Sequence, residues 1–272
     1  MTHLVLGSSG QIGNYLVKHL KDKGDKVYEF DITRSPTEDL RTYANSFLYP
    51  SMDTSDYVHF LAFDIGGSTY LKKYQDTFQF INNNIKIMDC TFELIKHLKK
   101  PFTFASSQMS NMNHSTYGLL KAVGEKYTES LGGLVGKFWN VYGYETNEEK
   151  AHVITDFIKM AKHKGAIKMR TDGEEVRQFL YGRDCAECLD ILSQKYDTID
   201  RKKPLHITNF EWTSIYDVAK TIQSKLGGNI IKGSLKDDVQ QDKRNEPDPY
   251  ILEHWKPKTK LEDGIWEISS LY

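Results

Sequence analysis

The feature that most constrains this 272-residue chain lies at its start. A short apolar run, His3–Leu6, passes into Gly7-Ser-Ser-Gly10-Gln-Ile-Gly13 and at once into a helical pattern over Gln11–Lys23. Such a strand–turn–helix presents backbone N–H groups at a helix N-terminus with no Cβ in the way, as a pyrophosphate requires. Gly7 and Gly10 suit the tight turn and the close approach, and Gly13 lets the helix pack on the strand. The spacing is GxxGxxG rather than GxGxxG, and alone it also suits a turn that binds nothing. A second element sharpens the reading. The run Lys26–Phe30 ends in Asp31, 18 residues beyond Gly13. A carboxylate at the end of a second strand accepts the ribose hydroxyls of NAD and repels a 2′-phosphate. Arg34 nearby works in the opposite sense.

The alternation continues for half the chain. Asp56–Ala62, Pro101–Ala105 and Leu134–Trp139 read as further strands, and Thr77–Lys99 and Tyr117–Leu131 as helices. In the last of these, Leu120, Val123, Tyr127 and Leu131 recur at helical spacing. Alternating strands and helices imply a parallel sheet covered on both faces. Beyond Gly143 the rhythm breaks. Helices are expected over His152–Lys164, Arg183–Gln194 and Trp212–Leu226, the last capped by Thr213 or Ser214, and strands over Ala166–Arg170 and Leu205–Thr208. The charged tail from Gly233 onward gives no regular pattern. The expected division is a dinucleotide-binding domain over 1–143, rejoined by 177–209, and a smaller C-terminal substrate-binding subdomain built from 144–176 and 210–272.

Composition narrows the function. With 36 basic and 37 acidic side chains the net charge is −1, which gives no basic surface for nucleic acid. No window has the apolar length of a membrane span, and the N-terminus lacks an apolar signal region. Three cysteines, Cys90, Cys185 and Cys188, fit a reducing compartment, so a cytoplasmic location is expected. Cys185-Ala-Glu-Cys188 stands without a second pair, so it reads as packing within a helix and no metal is expected.

The fourth strand leads into Ser106-Ser107, and ten residues on comes Tyr117-Gly-Leu-Leu-Lys121. Tyrosine and lysine four apart share one helical face. A phenol titrates at about 10, too high for a base near neutrality. An adjacent ammonium lowers that value, and a serine hydroxyl at the strand end can hold the substrate oxygen while a proton moves.

These residues together resemble the extended short-chain dehydrogenase/reductase family, which includes nucleotide-sugar epimerases, dehydratases and 4-ketoreductases. The similarity runs nearly end to end: Gly7, Gly10, Gly13, Asp31, Leu61-Ala62, Asn84, and the Ser–Tyr–Lys set. Further on, Phe138-Trp-Asn140-Val-Tyr-Gly143 resembles the family's segment whose Asn contacts substrate. Gly173 to Asp184 resembles a stretch whose Arg, here Arg177, holds the nucleotide end, and Arg244 resembles a second such arginine. Two guanidinium forks suit a pyrophosphate. The resemblance implies a Rossmann-type, doubly wound α/β fold with NAD as cofactor. It implies that Gly7, Gly10, Gln11, Ile12, Gly13, Asp31, Leu61, Ala62, Tyr117 and Lys121 meet the cofactor. Ser107, Asn140, Arg177 and Arg244 would then meet a nucleotide-sugar substrate, with Ser107, Tyr117 and Lys121 catalytic. It also implies a homodimer through the helices Thr77–Lys99 and Tyr117–Leu131.

Departures from the family prune the chemistry. The interval from Ser107 to Tyr117 is short, which opens the rim and leaves Ser106 as a rival to Ser107. Relatives that dehydrate carry Asp-Glu after the Ser/Thr, and decarboxylases carry a Glu there. The 3,5-epimerase/reductases place a Cys two residues on. Here stand Gln108 and Met109, neither a proton donor nor a base. What remains is redox at one carbon: a 4-epimerase, or a keto-sugar reductase or dehydrogenase, or, without turnover, an NAD(H)-binding protein. Asp64, Gln108 and His114 are candidates to line a sugar pocket, and Gly66 and Gly67 to allow close backbone approach.

Overall fold

The computed structural model describes residues 1–43, 46–236 and 245–272. Six parallel strands form the central sheet: β1 (Thr2–Leu6), β2 (Lys26–Phe30), β3 (Tyr57–Phe60), β4 (Phe102–Ser107), β5 (Leu134–Phe138) and β9 (Leu205–Ile207). Their order is β2-β1-β3-β4-β5-β9, and each pair runs parallel. From β1 the chain steps to one side to make β2 and to the other to make β3. A crevice opens at the carboxyl ends of strands where the order reverses in this way.

Both faces of the sheet are covered. On one, α1 (Gln11–Asp22) packs against α7 (Gly182–Gln194), and Leu16, Leu20, Cys185, Cys188 and Leu189 fill the space with no exposure. Burial raises the thiol pKa of both Cys185 and Cys188, and each side chain serves as packing. On the other face lie α4 (Phe78–Leu98) and α5 (Thr116–Ser130). Here Phe92 meets Phe60, Phe102 and Phe104 at ring separations of 5.2, 6.0 and 5.5 Å. Aromatic pairs of this kind add about 0.5–1.5 kcal/mol each beyond burial. They pin α4 to β3 and β4, and so fix the loops that leave those strands. Short helices α2 (Leu48–Asp53) and α3 (Ser68–Tyr74) complete the connections.

A second core gathers α6 (Val153–Lys164), α8 (Ile215–Leu226) and α9 (Leu261–Ser269) around Tyr142, Phe157, Phe179, Ile222 and Ile265. Its sheet has the order β10-β8-β6, from β6 (Asn140–Tyr142), β8 (Val176–Tyr181) and β10 (Trp212–Ser214). A separate parallel pair joins β7 (Ala166–Lys168) to β11 (Asn229–Ile231).

Two expectations fail here. The helix expected from Trp212 begins only at Ile215, because Trp212–Ser214 extend antiparallel along β8, Trp212 opposite Gln178. Ser214 is the cap, accepting from the Asp217 N–H at 2.9 Å. The tail expected to be irregular contains α9, whose Ile265 and Ile268 are fully buried while Trp266 stays exposed. A nine-residue helix shows too few turns for its periodicity to stand out.

Candidate active site

The glycine turn builds the first wall. Gly10 sits extended at the cap of α1, so the N–H groups of the first turn face outward. Gly7 has φ +86°, and a Cβ there would lie 2.8 Å from the Ala62 nitrogen. A Cβ on Gly13 would lie 2.1 Å from the Gly7 carbonyl oxygen. The turn therefore closes only with bare backbone, and it brings β1 against Leu61-Ala62 at the end of β3.

Asp31 leaves β2 beside this turn. Its Oδ2 accepts from Ser9 N–H at 3.0 Å and its Oδ1 from Thr33 N–H at 2.9 Å, which orients the carboxylate. Glu38 lies against it, accepting from the Asp31 N–H at 2.7 Å. Arg34 is held by Glu29 and Glu38, at 2.5 and 3.5 Å. The corner is thus doubly acidic and its arginine is paired, which favours NAD over a cofactor with a 2′-phosphate.

A cleft of about 1040 Å³ runs from this corner across the sheet edge to the second lobe. Gly7, Gly10, Gln11, Ile12, Gly13, Asp31, Leu61 and Ala62 line it at one end, and Ser107, Tyr117 and Lys121 at its centre. Asn140 and Arg177 line it toward the second lobe. Arg244 lies outside the described residues. Of the sugar-pocket candidates, Asp64 and Gln108 reach the cleft, whereas His114 is exposed and is not among its lining.

Adjacent serines on β4 turn to opposite faces, which separates the two rivals. Ser106 Oγ donates to Glu125 Oε1 of α5 at 2.5 Å, and Lys137 lies 3.1 Å from the other carboxylate oxygen. Ser107 instead faces the Tyr117 phenol, and its Oγ accepts from Met109 N–H at 3.1 Å. Ser115 caps α5 by accepting from Gly118 N–H at 3.1 Å, and so fixes where Tyr117 points.

The electrostatics differ from the simple expectation. Burial raises the Tyr117 pKa, with the Ser107 hydroxyl opposing it only in part. Lys121 does not lower it here. The Lys121 ammonium donates to the Ala105 carbonyl at 2.6 Å and sits 3.6 Å from the centre of the Phe63 ring, 5.8 Å from that of Tyr117. Burial drives the pKa of Lys121 itself well down, against the pull of Glu125. Both members of the pair thus favour their neutral forms.

The roof comes from residues that the sequence did not single out as a set. Asp64, after β3, accepts from Tyr70 Oη at 2.7 Å, Lys150 Nζ at 3.0 Å and Asn83 Nδ2 at 3.1 Å. Burial pushes its pKa up, and these partners bring it below the ordinary carboxylate range. Asn84 holds the loop by bonding both the N–H and the carbonyl of Asp64. Gly67 donates its N–H to the Lys150 carbonyl at 3.0 Å, and a Cβ there would lie 2.3 Å from the Ala151 oxygen. The close approach expected of this glycine is real. Across the cleft, His152 Nδ1 meets Glu145 Oε1 at 2.6 Å, and Thr155 donates to the same carboxylate. Burial opposes the imidazolium, but Glu145 raises the His152 pKa on balance. Glu145 and His152 are seven residues apart in a loop, a spacing that carries no periodic signal.

Gln108 is held by Asn245, whose Nδ2 donates to its carbonyl and its Oε1, each at 2.7 Å. Met109 is buried. No acid or base stands in the two positions after Ser107. Arg177 is half-buried, donates to the Val176 carbonyl at 2.7 Å, and has its pKa drawn down by burial to about 10. It keeps its charge at neutral pH.

The sequence profile of the NAD dependent epimerase/dehydratase family matches residues 3–208. The chain belongs to this family. The family's cofactor is NAD. Among curated proteins, UDP-glucuronic acid decarboxylase 3 of Arabidopsis thaliana is 24% identical over 134 residues, 48% of this chain and 38% of that one. The match therefore spans less than half the length of that relative. Among solved structures, the UDP-glucose 4-epimerase of Thermotoga maritima with UDP-glucose superposes with a TM-score of 0.82 at 20% identity, covering 99% and 98% of the two chains. The Bordetella bronchiseptica enzyme WbmF with NAD+ gives 0.79 at 21%, covering 99% and 91%. A GDP-6-OMe-4-keto-L-xylo-heptose reductase of Campylobacter jejuni gives 0.83 at 18%, covering 100% and 97%. These likenesses establish the Rossmann-type fold. Among the described residues no helix is long and apolar enough to cross a membrane.

Proposed function

We propose that this family member is an NAD-dependent nucleotide-sugar epimerase that removes and returns hydride at one sugar carbon, C4. The observation that carries the reading is the pairing of Ser107 with Tyr117 in the dinucleotide cleft, next to a Gln108 and Met109 that can neither give nor take a proton. In this reading the glycine turn, Gln11, Ile12, Asp31, Leu61, Ala62 and Lys121 hold the cofactor. Residues 1–143 with 177–209 form its domain, apart from β6 and β8, which pair in the second sheet, and 144–176 with 210–272 the substrate subdomain. When bound, NAD+ would supply the hydride acceptor and a positive charge. Ser107 holds the sugar oxygen, and Tyr117 takes its proton as hydride leaves the same carbon. After the keto sugar turns, Tyr117 returns the proton. Asn140, Arg177 and Arg244 anchor the nucleotide end.

A keto-sugar reductase is the second reading, because the fold matches the Campylobacter jejuni reductase as well as it matches the epimerase. Two measurements separate them. Denatured protein is assayed by ultraviolet and mass spectrometry for released ligand. The intact protein is then incubated with a panel of UDP-, GDP- and dTDP-hexoses without added cofactor. Released NAD(H) and the appearance of a second epimer are expected. An empty protein that consumes added NAD(P)H with a 4-keto sugar makes it a reductase. Turnover in neither assay makes it an NAD(H)-binding protein.

We also propose a homodimer through α4 and α5. Leu119, Val123 and Tyr127 form an exposed stripe at four-residue spacing, with Phe78 and Ile85 exposed on the neighbouring helix.

A further inference from the structure

The opposite end of the sheet holds a cluster that the cleft does not use. His3 enters β1 and His59 lies on β3, both with no solvent exposure. His3 Nδ1 and His59 Nε2 are 3.1 Å apart. The other nitrogen of His3, Nε2, has no hydrogen-bond partner and faces Asp25 Oδ2 at 3.6 Å. Asp25 precedes β2, and its Oδ2 also lacks a partner with hydrogen-bond geometry. Asp190, buried on α7, completes the group, and His19 of α1 reaches it at 3.0 Å. One ligand atom from each of His3, Asp25 and Asp190 lies within 4.8 Å of the others.

We propose that His3, Asp25 and Asp190, with His19 as fourth ligand, form a site for a divalent transition-metal ion of the zinc class. Two imidazoles and two carboxylates are a donor set for Zn2+ or Co2+, whereas an all-oxygen set would suit Mg2+ or Ca2+. Ligands about 2.0–2.2 Å from such an ion lie roughly 3.3–3.6 Å apart, so His3, Asp25 and Asp190 close by about an ångström, and His19, outside that group, turns in from Asp190. The inner contact is already made. If His3 donates its Nδ1–H to His59 Nε2, its Nε2 lone pair is left free to ligate. His59 then takes the outer position that metal-binding histidines usually give to a carboxylate, carbonyl or water. Of the buried polar atoms here, His3 Nε2 has no hydrogen-bond partner, while Asp25 Oδ2 is met by the Lys23 ammonium alone.

The N-terminal ammonium, 2.6 Å from Asp25 Oδ1, balances the two carboxylates together with Lys23. Lys23 has its ammonium 2.9 Å from Asp25 Oδ2 and 2.7 Å from Asp190 Oδ1. It stands at the C-cap of α1 on a side chain 39% exposed, so it can swing outward when an ion enters. The ion and the Lys23 ammonium therefore compete for one position. None of the four ligands lines the cleft, so the ion would tie β1, the α1–β2 turn and α7 together without touching the reaction.

The test uses full-length protein without an affinity tag, stripped with chelator and titrated with Co2+ and then Zn2+. One equivalent of Co2+ should give the visible bands of a four-coordinate ion, and Zn2+ should displace it and raise Tm. Lys23→Met should tighten binding about tenfold, and His59→Leu, which removes only the outer partner, should weaken it roughly 10–100-fold. His3→Asn should abolish the bands; if it does not fold, Asp25→Asn takes its place. The site is overturned if wild type shows no bands, if they persist in the ligand variants, or if Lys23→Met leaves affinity unchanged. NAD affinity is the control and should stay constant throughout.

Discussion

Tyr117 sits between two demands. Its burial keeps the phenol protonated, yet the proposed chemistry needs it as a base. Lys121 rests against Ala105 and Phe63 and does not stabilise the phenolate. A positive charge brought in with the oxidised cofactor would shift the balance. Tyr117→Phe should therefore abolish turnover while leaving NAD affinity within about twofold, since the variant keeps the ring and loses only the acid–base group. Equilibrium binding and initial rates check both halves. His206 gives a pH signature of another kind. Its Nδ1 accepts from Trp139 Nε1 at 3.1 Å, and burial, helped by Lys137, lowers its pKa to about 4. Unfolded, the imidazole titrates at about 6.5. The unfolded chain then binds more protons between those values, so the contribution is intact above 6.5 and is lost as pH falls toward 4. Between pH 6.5 and 5, wild type should lose about 2 kcal/mol more than His206→Asn, whose side-chain oxygen still accepts from Trp139. Urea unfolding at the two pH values measures the difference.

At the scale of elements, the decisive unit is the strand, turn and helix from Thr2 to Asp22. Its glycines are fixed by close backbone: Gly7 by the distant Ala62, Gly13 by Gly7 within the same turn. Gly13→Ala should push α1 off the strand, cost about 1–3 kcal/mol in chemical denaturation, and weaken NAD binding in parallel. A stability loss with unchanged NAD affinity would separate the turn from cofactor binding. The loop after β3 is a second such unit. Asp64 and Gly67 seal it to Lys150 and Ala151, so the cleft has a roof formed by both lobes.

For the whole molecule, the exposed apolar stripe on α5 needs explaining. Leu119, Val123 and Tyr127 are 48%, 47% and 40% exposed, on a helix whose other face packs on the sheet. The periodicity that revealed the helix mixed two faces: Leu120 points into the core, Val123 points out, and the Tyr127 ring lies over the buried Phe92 with its edge exposed. A partner helix would cover that outer face. Leu119→Asp with Val123→Asp should convert a dimer to a monomer in light scattering without lowering Tm of the monomeric fold. A wild-type monomer would remove the dimer from the proposal.

Local chemistry made much of this legible. Strands β1 to β5 and helices α1, α4 and α5 follow from short apolar runs, glycine and serine boundaries and helical spacing, all read within a dozen residues. The glycine turn, Asp31 and the Tyr117–Lys121 pair were visible for the same reason: each is a short-range pattern whose spacing has a physical purpose. Other features depended on contacts between distant segments. Whether Ser106 or Ser107 faces Tyr117 was decided by Glu125, further along α5, and Lys137 on β5, which together hold Ser106. Where the Lys121 charge rests was decided by Phe63. The start of α8 was decided by β8, which recruits Trp212 as a strand. The cluster of His3, His19, Asp25 and Asp190 has no recognisable spacing, because its members meet only when β1, α1 and α7 pack. Sequence specifies the conformations that a residue and its near neighbours prefer; burial and long-range pairing determine which atoms then lie within a few ångströms of one another.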